Sequence, residues 1–269
     1  MISIIFGEPG LGKTCLLTKK AIDNMCGDLA FERLRNTKKL IKGLQMGGFP
    51  VTQPTVKHVV YADYPISTKR VALPTRQSNY IDGFRLSLEQ KDFETQFVEY
   101  GAWIGLDEAQ RYLNSRMFKG FKHEQSRFYE THRHFGYDII LACQRFGLID
   151  KNVRELAGCI IEIVKLKHYY NKYNELVESV WDVIEYSENP FTDSGAKKDS
   201  AKGVKKREVF KGNIFKCYNS QQFMLSHLQG RGNKDFERMA GIDFAMNQQG
   251  LKGHTEFYGY QEPEKYRSK

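Results

Sequence analysis

Apolar residues follow two rhythms along this chain of 269 residues. Short, nearly unbroken apolar runs alternate with stretches in which apolar side chains recur every three or four positions. The run Ile2 to Phe6 has almost no polar alternation, which predicts a strand buried on both faces of a parallel sheet, the first and central one. From Lys13 to Met25 the residues Leu16, Leu17, Ala21, Ile22 and Met25 repeat at helical spacing and predict a helix. Asp28 to Met46 reads as a second, basic helix closed by Gly47, Gly48 and Pro50. Further strands are predicted around Lys57 to Tyr61, Ala102 to Leu106, Tyr137 to Cys143 and Cys159 to Val164, with helices at Leu88 to Tyr100 and from Glu108 to Leu113. Strands alternating with helices imply βαβ units, hence an α/β fold with a mostly parallel central sheet flanked by helices.

The pattern weakens after Tyr186. Residues 187–212 are polar and rich in lysine, and predict a linker or surface loop between a core at 1–186 and a C-terminal extension at 213–269. Ile214 to Tyr218 could add a strand to the core, whereas Ser226 to Lys269 has little periodicity. The predicted linker carries Lys197, Lys198, Lys202, Lys205, Lys206 and Arg207, and Lys38, Lys39 and Lys42 form a second basic patch. Such residues either follow a DNA backbone or an anionic membrane, or are merely solvated.

Lys and Arg number 41 against 32 Asp and Glu, a net charge of +9 that favours anionic partners in general. The five cysteines, Cys15, Cys26, Cys143, Cys159 and Cys217, are scattered and never spaced C-x-x-C, which argues for reduced thiols and against a disulfide or zinc framework. His123, His132 and His134 fit no common zinc spacing either. No run approaches the ~20 apolar residues of a membrane span, and Met1 to Phe6 leads straight into glycine without a secretory leader. A cytoplasmic protein is the expectation.

Between the first strand and first helix lies Gly7-Glu8-Pro9-Gly10-Leu11-Gly12-Lys13-Thr14, the pattern G-x-x-x-x-G-K-[ST]. Gly7 and Gly12 allow a tight turn that aims successive N–H groups inward at a helix N-terminus, an anion nest for ATP phosphates that extends to Cys15. Lys13 reaches the β- and γ-phosphates and the Thr14 hydroxyl ligates Mg²⁺. The strand Trp103 to Leu106 ends in Asp107 and Glu108. Asp107 would hold Mg²⁺ through water, while Glu108 would polarise an attacking water; alternatively the two acids simply complement the dipole of a following helix. Gln144 follows the strand Tyr137 to Cys143, either sensing the γ-phosphate or positioning water, or else capping the strand end. Arg133, among Arg127, His132 and His134, is either an arginine finger for a neighbouring subunit or part of an exposed basic loop.

With these residues assembled, the chain resembles the Zot (zonular occludens toxin) family of phage morphogenesis ATPases. The marks are Leu106-Asp107-Glu108-Ala109-Gln110, His132-Arg133-His134-Phe135-Gly136-Tyr137-Asp138-Ile139, Gln144, Ile149-Asp150-Lys151-Asn152-Val153-Arg154 and Phe215-Lys216-Cys217-Tyr218. The resemblance implies a RecA-like P-loop NTPase related to FtsK/HerA-type motors, with an extra strand between the loop strand and the Asp-Glu strand that brings Gln144 beside the γ-phosphate. It makes Arg133 the preferred finger, ahead of Arg116 and Arg154. It also implies a homo-oligomer, a ring, acting on phage DNA, single-stranded ahead of double-stranded, with capsid or inner-membrane assembly proteins as partners. The location implied is the host bacterial cytoplasm, the inner membrane's surface or a virion vertex. Many members carry a transmembrane helix after the ATPase domain, and no such run stands in this sequence. Two other functions remain open on the residues: an ATP-switched assembly factor that translocates nothing, and a small-molecule kinase, for which no arginine-rich lid is found.

Overall fold

A strand enclosed on both faces carries mostly apolar residues, and β1 (Ile2–Phe6), apolar except for Ser3, is buried throughout. Ile2, Ile4 and Phe6 enter one core layer, while Ile5 enters the other with Leu16, Leu17, Ala21, Ile22 and Met25 of α1 (Lys13–Cys26). The computed structural model describes residues 1–48, 60–81, 98–115, 123–191, 197–198 and 201–218. Its remaining elements are α2 (Asp28–Met46), β2 (Val60–Ala62), β3 (Asn79–Tyr80), β4 (Trp103–Leu106), α3 (His123–Thr131), β5 (Asp138–Cys143), α4 (Lys151–Glu155), β6 (Ala157–Tyr170), β7 (Leu176–Tyr186) and β8 (Val204–Lys211).

These strands form one sheet in the order β3-β2-β4-β5-β1-β6-β7-β8. Pairing is parallel from β3 to β6 and antiparallel from β6 to β8. β5 stands between β1 and β4, the RecA-like order with one strand inserted between the loop strand and the Asp-Glu strand. All parallel strands therefore end on the same side, where α/β sheets place their ligands. No helix among the described residues is long and apolar enough to cross a membrane.

The structure departs from the sequence expectation in four places. The helix expected from Glu108 to Leu113 is only a 3-10 turn, Ala109–Arg111, because Glu108 adopts left-handed backbone (φ 46) that an α-helix cannot absorb. β6 runs on to Tyr170, well beyond Val164, and returns as β7. Part of the stretch expected as linker is β8, an edge strand whose cations find acids on the sheet. Arg207 Nε donates to Asp182 at 2.8 Å, Lys206 pairs with Glu185, and Lys197 donates to Glu162 at 2.9 Å. A charged edge of this kind resists pairing with other chains, which is why its composition mimics a loop. Finally, Ile214 to Tyr218 forms a 3-10 turn, Ile214–Lys216, in place of a strand; it bridges Ile66 at Tyr218 and buries Ile214 and Cys217 in the core. The helix expected at Leu88 to Tyr100 and the start of the strand expected from Lys57 fall mostly outside the described residues, as does 219–269.

β8 is tied to α1 as well as to β7. Glu208 accepts from Lys19 at 2.5 Å and from Lys20 at 3.1 Å, while Lys19 also reaches Asp23. Burial raises the Glu208 carboxyl, but the two lysines outweigh it and hold the group below the ordinary range.

Candidate functional site

The loop after β1 turns back on itself through Gly10 (φ 86) and Gly12 (φ 70), conformations that L side chains rarely adopt. Gly12 then caps α1 without a side-chain acceptor, and no acid stands in the first turn. The first N–H groups of α1 are thus left for an outside anion, reinforced by the helix dipole. Lys13 is only 8% exposed, its ammonium curled over the loop to donate to the Gly7 and Glu8 carbonyls, each at 3.0 Å. Glu8, Pro9 and Gly10 face solvent, and Leu11 is half-buried. Cys15 points away, into the core beneath Tyr218, whose hydroxyl lies 2.9 Å from Sγ; burial pushes its thiol up to about 11.

Two strands away, Asp107 comes to the same place. The Thr14 hydroxyl donates to Asp107 Oδ2 at 2.7 Å, joining the loop helix to the end of β4 across 93 residues of sequence. Burial pushes the Asp107 carboxyl up to about 6; the Thr14 bond and Lys13 pull it down, and the charge of Glu108 adds to the rise. A hydroxyl and a carboxylate in contact beside an uncapped helix start are a donor set that suits Mg²⁺ on a triphosphate.

Glu108, at the next position, is half-buried. Its Oε2 accepts from the Gln110 side chain and, at 3.3 Å, from Gln144 Nε2 at the end of β5. The inserted strand therefore brings Gln144 to Glu108. Left-handed backbone at a non-glycine residue costs on the order of 1–3 kcal/mol, so the neighbours must hold it.

Asp63 does much of that holding, and sequence reasoning missed it. It follows β2, is 1% exposed, and accepts the Asp107 backbone N–H at 2.9 Å on one oxygen and the Tyr112 hydroxyl at 3.1 Å on the other. One carboxylate thus grips the turn before Glu108 and again four residues beyond it. Burial foremost, then the charge of Asp107, raises Asp63 well above the ordinary carboxylate range. Trp181 of β7 was missed too: its Nε1–H donates to the Gly12 carbonyl at 3.3 Å, and its ring lies against the loop. The signal for it was the alternation in Leu176 to Tyr186, whereas a lone Asp63 carries none.

An Asp63→Ala variant removes the carboxylate that accepts from the Asp107 N–H and from the Tyr112 hydroxyl, and is expected to lose about 2–4 kcal/mol of stability. Asp63→Asn keeps an oxygen for Asp107 N–H and is expected to lose less than half as much. Denaturant unfolding of both proteins checks this, and equal losses would contradict the grip described.

Arg133 is not brought to this cluster. It is exposed in the 3-10 turn His132–Phe135 that precedes β5, at the opposite ends of the strands, where it borders a cavity of about 960 Å³ with Met1, Arg33 and Asp138. Within one subunit it is out of reach of the loop. Arg154 covers the Phe146 ring at 5.4 Å, and Arg116 lies outside the described residues.

Among solved structures, the N-terminal domain of zonular occludens toxin from Neisseria meningitidis is similar over 81% of this chain and 98% of that one, at 20% identity and a TM-score of 0.45. The genome packaging NTPase B204 from Sulfolobus turreted icosahedral virus 2, in complex with ATP-gammaS, is similar over 79% and 97%, at 12% identity and a TM-score of 0.37. A KaiC-like protein, PH0186 from Pyrococcus horikoshii OT3, is similar over 79% and 86%, at 12% identity and a TM-score of 0.33. No curated protein matches. The family model described as Zonular occludens toxin (Zot) matches residues 1–220, and the chain belongs to the Zot family.

Proposed function

We propose that this chain is an ATP-hydrolysing motor of phage morphogenesis, a homo-oligomer that drives packaging or extrusion of the phage DNA. The observation that carries the catalytic part is the contact of Thr14 with Asp107, with Glu108 beside them and bound to Gln144. Membership of the Zot family supports the setting. On this reading the partners are phage DNA, single-stranded ahead of double-stranded, and capsid or inner-membrane assembly proteins. The place of work is the host bacterial cytoplasm, at the inner membrane or a virion vertex.

The N–H groups of Gly10 to Cys15 bind the phosphates, and Lys13 exchanges its loop carbonyls for β- and γ-phosphate oxygens. Thr14 and Asp107 would hold Mg²⁺, which when bound neutralises charge on those phosphates. Glu108 accepts the proton of an attacking water, and its turn, gripped by Asp63, fixes where that carboxylate stands. Gln144 orients Glu108 and senses the γ-phosphate.

Arg133 acts in trans on this reading, since it is exposed and far from its own loop. Mixing Arg133→Ala with Lys13→Ala subunits is then expected to recover part of the turnover that each lacks, because some interfaces regain an intact loop facing an intact arginine. Failure of every mixture to recover phosphate release counts against the finger.

A further inference from the structure

β6 and β7 run past the nucleotide loop. β1 pairs with β6 from Ala157 to Glu162, yet β6 continues to Tyr170 before turning back. At about 3.3 Å per residue, the stretch from Ile163 to Tyr170 carries the hairpin roughly 25 Å beyond the end of β1. The inner face of its stem is part of the nucleotide site. Leu166 pairs with Trp181, whose indole binds Gly12, and His168 shares a hydrogen bond of 3.0 Å with Ser179.

Its outer face and tip have no such occupation. Lys165, Lys167 and Tyr169 alternate outward on β6, followed by Tyr170, Lys172 and Tyr173 at the turn. The three tyrosines are 47%, 54% and 71% exposed, and none packs against another ring among the described residues. From Val164 to Asn174 there are three lysines and no acid. None of these lysines forms an ion pair among the described residues; Asp182, opposite Lys165, is taken by Arg207. Two acids stand nearby, Glu178 opposite Tyr169 and Glu175, which accepts from Asn171 Nδ2 at 2.9 Å. Lys172 lies 4.9 Å from the centre of one face of the Tyr173 ring.

The tip is also built to stay in shape. The Asn171 side chain accepts from the backbone N–H of Tyr173 at 2.9 Å and of Glu175 at 3.0 Å, and Asn174 takes left-handed backbone (φ 60) to close the turn. Exposed aromatics on a preorganised turn lose little entropy when something stacks on them.

We propose that the β6–β7 tip docks single-stranded nucleic acid, with unpaired bases stacking on Tyr169, Tyr170 and Tyr173 and phosphates meeting Lys165, Lys167 and Lys172. Interleaved rings and unpaired cations match a chain that offers flat apolar faces and negative charge together. A duplex hides its base faces, and a membrane would call for a larger apolar wedge than these residues supply. The basic stretch around β8 is the weaker candidate, because Lys197, Lys206 and Arg207 are already paired with acids of the sheet. Through Trp181 and Gly12, strand binding at the tip bears on the nucleotide loop.

The inference rests on the motor reading only in taking DNA as the probe. Fluorescence anisotropy with a labelled oligothymidylate, and with a duplex of equal length, tests it on the full chain without ATP, so that hydrolysis does not enter. The single strand is expected to bind more tightly than the duplex. Combined Tyr169→Ser, Tyr170→Ser and Tyr173→Ser changes should weaken single-strand binding about tenfold or more, with the thermal midpoint unmoved. The single change Tyr173→Ser, at the most exposed of the three, should weaken it in the same direction. Changing the three lysines to Gln should flatten the salt dependence by about 2 units of log K per log salt. Undiminished single-strand binding by the tyrosine variant overturns the proposal, as does preference for the duplex. So does a variant whose only loss is in assembly mass, which would make the tip a contact between copies, or in binding to anionic vesicles.

Discussion

Lys13→Ala is expected to reduce ATP turnover to background and to weaken ATP binding about 10- to 100-fold. The ammonium is held over the loop by the Gly7 and Glu8 carbonyls, poised to give those bonds up for phosphate oxygens. A charge-assisted bond of this kind contributes about 1.5–3 kcal/mol, and each 1.4 kcal/mol is a factor of ten. The larger effect on turnover arises because charge builds on the phosphoryl group in the transition state, where the same cation counts for more. Calorimetric titration with ATP and a phosphate-release assay separate the two effects. Unchanged binding and unchanged turnover would remove the loop from the chemistry.

Glu108→Gln is expected to act the other way, keeping ATP affinity within about twofold while turnover falls by about 10²- to 10⁴-fold. The amide preserves size and can still accept from Gln110 and Gln144, so the turn keeps its shape. What it loses is basicity. Single-turnover phosphate release against equilibrium binding makes the distinction, and a wild-type rate in this variant would end the assignment of Glu108 as base. Asp63→Ala disturbs the same turn from behind, but it lowers stability along with rate, so the pair of variants tells a lost base from a loosened one.

How much of this was legible beforehand depended on how local each feature is. The loop from Gly7 to Thr14 sits between an unbroken apolar run and a helical repeat, so chain neighbours alone define it. Asp107 and Glu108 announce themselves in the same way at the end of an apolar strand. Gln144 was placed at a strand end, but its bond to Glu108 depends on β5 inserting between β1 and β4, which no local pattern contains. Asp63 stands 44 residues from its backbone partner Asp107, and its role exists only once β2 lies beside β4. β8 was masked by its own charges, among them Lys206 and Arg207, which fit a solvated or anion-binding linker equally well until β7 supplies Glu185 and Asp182 as their partners. Arg133 illustrates the converse: a basic cluster just before a strand looks close to the site in sequence, yet the strand's length puts the residue at the far end of the sheet.

On the function proposed above, this geometry hydrolyses ATP in the service of moving DNA. Phosphate release by the wild-type chain in Mg²⁺-ATP, measured with and without single-stranded DNA, tests it most directly. Release is expected to disappear when Mg²⁺ is chelated and to rise when single-stranded DNA is added. Release that is absent under every condition, or that proceeds at the same rate with and without DNA, would contradict it.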